Sequence, residues 1–192
     1  MQTMIARSRS QLSHSLLRSL PLAAAALLAA CADRAPVAPR QPTTSPRFAA
    51  SAAAERERTI AAVRRATARY HDLNAALADG FVFLSGCETR GDEGPVGIMY
   101  VHMGRLMDGV LDPALPDALI YAPSRNGRPK LAAAELAVPY PLWTGSQPPA
   151  LFGTEFQRED EFGVFGLHLW VWMNNSEGMF AETNPKVSCG AE

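Results

Sequence analysis

The clearest periodic pattern in the chain begins at Glu55 and is helical. Apolar residues recur there at steps of three and four, which places them along one side of an α-helix. They are Ile60, Val63, Tyr70, Leu73 and Leu77, and arginines occupy the other faces. Asp79 and Gly80 mark the end, because glycine readily adopts the left-handed conformation in which many helices stop. The pattern therefore predicts an amphipathic helix over residues 55–79.

After Gly80 the pattern changes to short apolar runs separated by glycine, proline and aspartate, which is typical of strands and turns. The predicted strands are 81–84, 98–103, 118–122, 130–140 and 164–173. Asn126-Gly127 predicts a tight hairpin turn, and the acid-rich segment 86–97 predicts a solvated loop. The prolines from 139 to 149 predict irregular chain as far as Phe162. The order of elements predicts an α+β domain, in which an N-terminal amphipathic helix packs on a mostly antiparallel sheet with a Pro-rich loop.

The last predicted strand is the most informative for function. Two-residue alternation places apolar side chains on one of its faces, which we expect to be core. They are Phe165, Leu167, Leu169, Val171 and Met173. The opposite face carries Gly166, His168, Trp170 and Trp172. Two interpretations of this second face stay open, since it either packs under other elements with its polar atoms satisfied or forms the wall of a pocket.

Other predicted strands supply further polar candidates. Tyr100 and His102 share one face of the second strand, and Glu135 interrupts an apolar run, where a carboxylate is costly unless paired or solvated. If His102, Glu135 and His168 face one cavity, they form the two-histidine, one-carboxylate set that suits a divalent transition metal. A buried hydrogen bond from Glu135 to a histidine or tyrosine is the alternative, and no H-E-x-x-H motif is present.

The N-terminus has the successive segments of a bacterial lipoprotein signal peptide. Three arginines and no acidic residue accompany an apolar stretch, 20–30, which is shorter than the ~20 residues needed to span a bilayer. Leu28-Ala29-Ala30-Cys31 then resembles a lipobox. Residues 1–30 are therefore predicted to be a cleaved signal peptide, and Cys31 to carry diacylglycerol and further acyl chains such as palmitate, which together anchor a protein stably.

The sequence after Cys31 indicates which membrane is expected to carry the protein and how the folded domain is connected to its anchor. Ala32 stands directly after the cysteine, where an aspartate commonly signals inner-membrane retention, so the outer membrane is favoured in a cell that has one. Residues 31–54 are rich in proline and alanine without apolar periodicity, which predicts an extended tether. Residues 55–192 are then one α+β domain in the cell envelope.

The net charge of the chain restricts the classes of molecule that it is expected to bind. The chain has 18 basic and 19 acidic residues, a formal net charge of −1, and loss of the three arginines in the signal would make it −4. Binding to nucleic acid and electrostatic docking on anionic lipid are both disfavoured, because each needs clustered lysine and arginine. The membrane is therefore predicted to be reached through the lipid anchor.

Two cysteines remain once Cys31 is lipidated. In the oxidising compartment outside the cytoplasm, Cys87 and Cys189 are predicted to form a disulfide. The alternatives are free thiols, or Cys87 as a nucleophile beside a histidine.

Several blocks of the sequence resemble an uncharacterised family of secreted bacterial proteins. The resemblance covers about residues 70–189. Its most specific part is Leu167-His168-Leu169-Trp170, Gly178-Met179-Phe180 and Asn184-Pro185-Lys186-Val187-Ser188-Cys189. Where the family reads G-x-H-Y-V-N, this chain has Met99 in place of the histidine and His102 in place of the asparagine. A shared metal or acid–base role for this strand is therefore disfavoured, unless Met99 and His168 bind copper, which accepts thioether ligands. The resemblance implies secretion but no activity.

Standard catalytic signatures are absent from the sequence, including G-x-S-x-G, phosphate-binding glycine loops and dinucleotide motifs. The leading hypothesis is a lipid-anchored module that binds a small ligand or a metal. Its predicted binding residues are His168, Trp170, Trp172, Tyr100, His102 and Glu135. One alternative is a hydrolase-type enzyme in which Glu135 orients His168 as a general base, and another is a structural or adhesive surface protein without a pocket.

Overall fold

The computed structural model describes residues 46–190, so the predicted signal peptide, Cys31 and most of the predicted tether lie outside the described residues. Helix α1 spans Pro46–Thr67 and begins nine residues before the predicted start. The residues before Glu55 are mostly alanine, which has the highest helix propensity, and they therefore extend the helix although they lack an apolar stripe. Within residues 46–190, no helix has both the length and the hydropathy to span a membrane.

The helical segment is also less continuous than its apolar stripe predicts. A single 3₁₀ turn, Ala68–His71, follows α1, and a short helix α2 spans Leu73–Ala78. Asp72 separates the two, because its backbone is extended and its side chain accepts a hydrogen bond from the backbone N–H of Asn74. This is the geometry of a helix N-cap, which starts a new helix. Gly80 ends the segment with φ of 100°, as predicted.

From Val82 to the last described residue, Gly190, the chain forms eight strands and one further short α-helix. They are β1 Val82–Arg90, β2 Gly94–Val101, α3 Met103–Leu106, β3 Ala118–Ala122, β4 Lys130–Pro139, β5 Ala150–Leu151, β6 Thr154–Glu155, β7 Gln157–Glu159 and β8 Val164–Leu169. Six strands form one sheet in the spatial order β1-β2-β3-β4-β8-β7, and β5 and β6 form a separate hairpin. Every neighbouring pair is antiparallel. The predicted α+β class and the meander of the first four strands are confirmed.

The segment predicted to be a solvated loop, 86–97, is instead most of the β1–β2 hairpin. Its turn is the 3₁₀ segment Gly91–Glu93, and three register shifts let the irregular sequence pair. Gly97 shows why glycines belong here, since its φ is 125° and a Cβ on it would lie 2.7 Å from the carbonyl oxygen of Tyr121. These glycines therefore serve close strand pairing rather than an open loop.

Strand β8 ends four residues earlier than predicted. The chain turns after Leu169, where the backbone N–H of Val171 bonds back to the Leu169 carbonyl, and the next two N–H groups bond to Ala132. The two-residue alternation therefore stops at Leu169. Trp172 consequently leaves the face that carries His168.

The two faces of the sheet are covered by different parts of the chain. One face, here called the helix face, packs against α1, the 3₁₀ turn and α2; its buried residues include Ile60, Val63, Tyr70, Leu119, Tyr121, Leu136, Leu167 and Leu169. The opposite face, here called the tail face, is covered by the C-terminal segment 180–190; its buried residues include Val96, Met99, Ile120, Ala133, Trp170 and Val187. A disulfide between Cys87 and Cys189 fastens that segment to β1, as predicted.

Candidate metal centre

Three ionisable side chains meet on the tail face. Glu135 of β4 lies directly opposite His168 of β8 in the strand pairing, and Glu159 lies on the adjoining strand β7. One ligand atom from each residue lies within 4.8 Å of the others. All three residues are buried, with exposed fractions of 2%, 5% and 0% for Glu135, Glu159 and His168. Together they are called the acid–histidine cluster below.

Gly166 makes room for this cluster. It lies two residues before His168 and therefore on the same face of β8. A Cβ on Gly166 would lie 2.7 Å from Oε1 of Glu135 and would overlap Oε1 of Glu159. The absence of a side chain at this position is what allows both carboxyl groups to lie over β8.

The His168 ring is oriented by the main chain. Its Nδ1 lies 2.7 Å from the carbonyl oxygen of Glu182. A carbonyl oxygen only accepts, so Nδ1 carries the proton and Nε2 carries the lone pair. Nε2 has no hydrogen-bond partner, and it lies 4.0 Å from Glu135 Oε2 and 3.9 Å from Glu159 Oε1. Metal-bound histidines commonly have this arrangement, with one ring nitrogen donating to a carbonyl and the other free to bind.

Burial sets the protonation of the cluster. It lowers the pKa of His168 to about 4, so the imidazole is neutral at neutral pH. Burial also raises the pKa of Glu135 well above its ordinary value, and nearby carboxylates raise it further. The pKa of Glu159 is raised by burial as well, against the opposing effect of Arg90. With a neutral imidazole, His168 does not form an ion pair with the two carboxyl groups, and its Nε2 lone pair is available to a metal ion.

Arg90 is the cation nearest to these acids. Its guanidinium lies 2.9 Å from Oε2 of Glu159 and 2.7 Å from Oε2 of Glu182. Burial raises the pKa of Glu182 to about 7. Glu135, Glu159 and Glu182 thus share one positive charge, and Oε1 of both Glu159 and Glu182 has no hydrogen-bond partner.

A pocket of about 180 Å³ opens onto the cluster. Its buried end is acidic and consists of Asp117, Glu135 and Glu159. Its walls are apolar and include Leu84, Met99, Val101, Met103, Leu106 and Phe162. The Oδ2 of Asp117 accepts a hydrogen bond of 2.8 Å from the backbone N–H of Ala137, whereas its Oδ1 has no partner. Burial raises the pKa of Asp117 to about 7.

The predicted site residues divide between several places. His168 and Glu135 come together, and Met99 lines the adjoining pocket. His102 lies elsewhere, because it is the N-cap of α3 and its Nδ1 accepts a hydrogen bond of 3.2 Å from the backbone N–H of Arg105. Tyr100 faces the opposite side of the sheet, where its ring packs against Tyr121.

The two tryptophans do not form the predicted wall of a pocket. Trp170 lies on the tail face, and its indole N–H donates to the carbonyl of Ala181 at 2.7 Å. Trp172 lies on the helix face, where its indole N–H donates to Oγ1 of Thr67 at 2.9 Å. For these two residues the alternative interpretation is correct, since they pack with their polar atoms satisfied.

The predicted base–orienter pair of a hydrolase is not formed. The carbonyl of Glu182, and not the carboxylate of Glu135, orients His168. Across residues 46–190, no hydroxyl or thiol is hydrogen-bonded to His168 Nε2. Cys87 is not a free nucleophile, because it is held in the disulfide.

Glu159 is the residue that the sequence does not reveal. It lies in a three-residue strand within a segment predicted to be irregular, among the acidic residues Glu155, Asp160 and Glu161. Those three are not buried, whereas Glu159 is 5% exposed. Nothing local distinguishes it, since its burial follows from the pairing of β7 with β8.

Comparison with known proteins adds no function to this geometry. Neither protein-family models nor curated proteins nor solved structures match the chain. The resemblance to secreted bacterial proteins therefore stays a prediction, and the chemistry of the site follows from its own residues.

Proposed function

We propose that the folded domain binds a divalent transition metal through Glu135, Glu159 and His168, and that a lipid anchor holds it in the cell envelope. The observation that carries the proposal is the cluster itself: three buried ligand atoms within 4.8 Å of one another. Two cluster atoms, Nε2 of His168 and Oε1 of Glu159, lack any hydrogen-bond partner. Because buried polar atoms are nearly always paired, a cation between these atoms would satisfy both of them.

The distances suit this interpretation. Ligand atoms at ~2.0–2.2 Å from a tetrahedral zinc ion lie roughly 3.4 Å from one another. The separations from His168 Nε2 to the two carboxylates are 4.0 and 3.9 Å. A contraction of about half an ångström, within reach of small side-chain rotations, would bring these two separations to the distances found around a metal.

The charges favour a divalent ion. Glu135, Glu159 and Glu182 carry three negative charges when ionised, and Arg90 supplies one positive charge. A doubly charged cation makes the buried group neutral, which removes the large cost of burying an uncompensated charge.

The ligand types indicate which metals fit. Carboxylate oxygen and imidazole nitrogen suit zinc, manganese and ferrous iron, whereas Cu(I) selects soft thiolate and thioether ligands. Met99 is the soft donor that the copper prediction invokes, and it lines the pocket without belonging to the acid–histidine cluster. We therefore favour zinc, manganese or iron over copper.

The metal proposal is tested by calorimetric titration of the EDTA-treated protein with Zn²⁺, Mn²⁺ and Co²⁺. One ion is expected per chain, and His168→Asn and Glu159→Gln are each expected to weaken binding by roughly a hundredfold or more, because each removes a ligand. Glu155→Gln is the matched control, since Glu155 is exposed and belongs to the neighbouring strand β6. Absence of stoichiometric binding, or equal affinity in all variants, contradicts the proposal.

The anchoring part of the proposal has its own support and test. The disulfide between Cys87 and Cys189 is of the kind that persists in oxidising compartments outside the cytoplasm. Mass spectrometry of the protein from its native membrane is expected to find Cys31 as an acylated N-terminal residue. An uncleaved leader, or a free Cys31 thiol, contradicts this part and leaves the metal proposal unaffected.

A further inference from the structure

The pocket beside the acid–histidine cluster contains a carboxylate that the metal does not use. Asp117 precedes β3, is 1% exposed and lines the pocket. Its Oδ2 is paired with the backbone N–H of Ala137, but its Oδ1 has no partner. Asp117 is not one of the three clustered ligands. A buried carboxylate with an unpaired oxygen in the pocket lining favours a ligand that carries a hydrogen-bond donor or a positive charge.

Within residues 46–190, the two arginines nearest to the pocket make their hydrogen bonds and ion pairs with groups other than Asp117. Arg105 is the closest candidate by sequence and fold, but its guanidinium donates to the carbonyl of Pro116 and to the carboxylate of Asp79, at 3.1 and 3.0 Å. Arg90 is engaged by Glu159 and Glu182. Among the described residues that line the pocket, none is basic. The positive charge is therefore expected from a ligand.

The remaining lining of the pocket indicates the size and the apolar character of the rest of that ligand. Leu84 and Met103 are 38% and 48% exposed and lie toward solvent, while Met99 is buried, so an apolar wall runs from the opening to the acidic end. The volume of about 180 Å³ is below the ~300–1,000 Å³ of pockets that hold drug-sized molecules. A fitting ligand is small, with a short apolar tail and one cationic head.

We infer that this pocket binds a short primary aliphatic amine. The ammonium group pairs with the carboxyl groups at the acidic end, of which Asp117 is the one outside the acid–histidine cluster, and the alkyl chain lies along Met99, Met103 and Leu106. An anion of the same length is excluded, because it would meet three carboxyl groups in an apolar enclosure. The inference does not require a bound metal. Glu135 and Glu159 belong to both sites, so a metal ion and the amine are expected to compete for them, and amine binding is therefore measured on the metal-free protein.

The ligand class is tested by calorimetry on the EDTA-treated full-length lipoprotein in detergent micelles, with micelles alone as the blank. The probes are propylamine, butylamine and pentylamine, with the alcohol and the carboxylate of each chain length. We expect the amines to bind, with about a fourfold gain in affinity for each added methylene until the pocket is full. The alcohols are expected to bind at least tenfold more weakly and the carboxylates not at all. Equal binding of amine and alcohol, or no amine binding at millimolar concentration, overturns the inference.

Two variants distinguish binding of the amine from binding of the metal. Asp117→Asn keeps an acceptor for Ala137 and removes the charge, so it is expected to lose amine binding at least tenfold while metal affinity stays within twofold. His168→Asn is expected to do the reverse. Asp92→Asn, at an exposed position, is the control and should change neither. Loss of amine binding in His168→Asn, or its retention in Asp117→Asn, contradicts the assignment of the ammonium group to Asp117.

A third variant covers the case in which Asp117→Asn does not fold. Met103→Trp changes a half-exposed wall residue and narrows the pocket without removing an acid. It is expected to weaken amine binding at least tenfold with metal affinity unchanged. Unaltered amine binding in Met103→Trp places the amine outside the pocket and overturns the inference. If metal binds but no amine does, the proposed metal function stands alone.

Discussion

The helix face and the tail face of the same sheet satisfy their polar groups differently. On the helix face, the hydroxyl of Tyr121 donates to the carbonyl of Tyr70 at 2.7 Å and the indole of Trp172 donates to Thr67. On the tail face, His168 and Glu159 each keep an unpaired buried atom. The first face therefore stabilises the fold by ordinary burial. The second face contains groups that destabilise a folded protein unless something binds them, which is the pattern expected of a functional site.

The substitution expected to change stability most creates a cavity in the helix face. Leu167 is fully buried there, so Leu167→Ala is expected to lower the free energy of unfolding by about 2–5 kcal/mol. The loss should be the same with and without added Zn²⁺, because Leu167 points away from the acid–histidine cluster. Urea unfolding measures both values, and Leu115→Ala, at a 52% exposed position, is the control. A loss under about 1 kcal/mol would show that the helix face is not the main core.

Removal of the disulfide is expected to cause the next largest loss of stability. It affects the tail face. Cys87 and Cys189 are 102 residues apart in the chain, and loss of a disulfide that closes such a long loop typically costs about 2–4 kcal/mol. The Cys87→Ser, Cys189→Ser protein should also bind metal more weakly, because the tail supplies the carbonyl of Glu182 that orients His168. Unfolding and metal titration of the double variant measure the two effects. Unchanged metal affinity would mean that the tail does not orient the histidine.

A substitution within the acid–histidine cluster should have the opposite sign from the cavity in the helix face. Glu135→Gln replaces a buried carboxyl, whose ionisation is opposed by burial and by its acidic neighbours, with a neutral amide of similar shape. In EDTA at pH 8 it is expected to raise the free energy of unfolding by about 1 kcal/mol. It should also abolish the stabilisation that Zn²⁺ gives the wild-type protein. Destabilisation of the metal-free protein by more than about 1 kcal/mol would place Glu135 among the stabilising groups.

A further test is the pH dependence of stability in the metal-free protein. The pKa values of Asp117 and Glu182 rise to about 7 from ordinary values of 3.8 and 4.5, mainly because of burial. The folded state therefore holds protons that the unfolded state has lost, and these two groups make the protein less stable as pH rises from about 4.5 to 7.

His168 acts in the opposite direction over part of that range. Its pKa is lowered to about 4, so the unfolded state takes up a proton below about pH 6.5 and stability falls as pH drops toward 4. Above pH 6.5 only the carboxyl effect remains. Unfolding curves of wild type and Asp117→Asn at pH 5, 6.5 and 8 are expected to converge at low pH, with the variant more stable at high pH. Parallel curves would contradict the assignment of this effect to Asp117.

Much of the fold follows from local pattern, and the candidate site follows only in part. Strand β3 and the start of β4 agree with the sequence-based prediction, because β-branched and apolar runs between turn residues are strong strand signals. Alternation correctly separates His168 from Leu167 and Leu169. An antiparallel neighbour with a buried carboxylate then makes the Glu135–His168 contact a natural expectation.

The remaining features depend on pairing that no local pattern specifies. Alternation shows that Tyr100 and Met99 face opposite sides, but only the strand register decides which of them shares a side with His168, since a one-residue slip exchanges the faces. The turn after Leu169 likewise moves Trp172 to the helix face. Glu159 joins the cluster through a three-residue strand whose sequence is not distinctive. These features can be recognised only in the tertiary structure.

We propose that a metal ion lies between Glu135, Glu159 and His168. Anomalous diffraction at the zinc edge from crystals of the zinc-loaded protein tests it most directly. We expect one strong peak per chain, ~2.0–2.2 Å from Nε2 of His168 and from one oxygen of each carboxylate. A crystal with no peak there, or with zinc bound only at exposed residues such as His71, would contradict it.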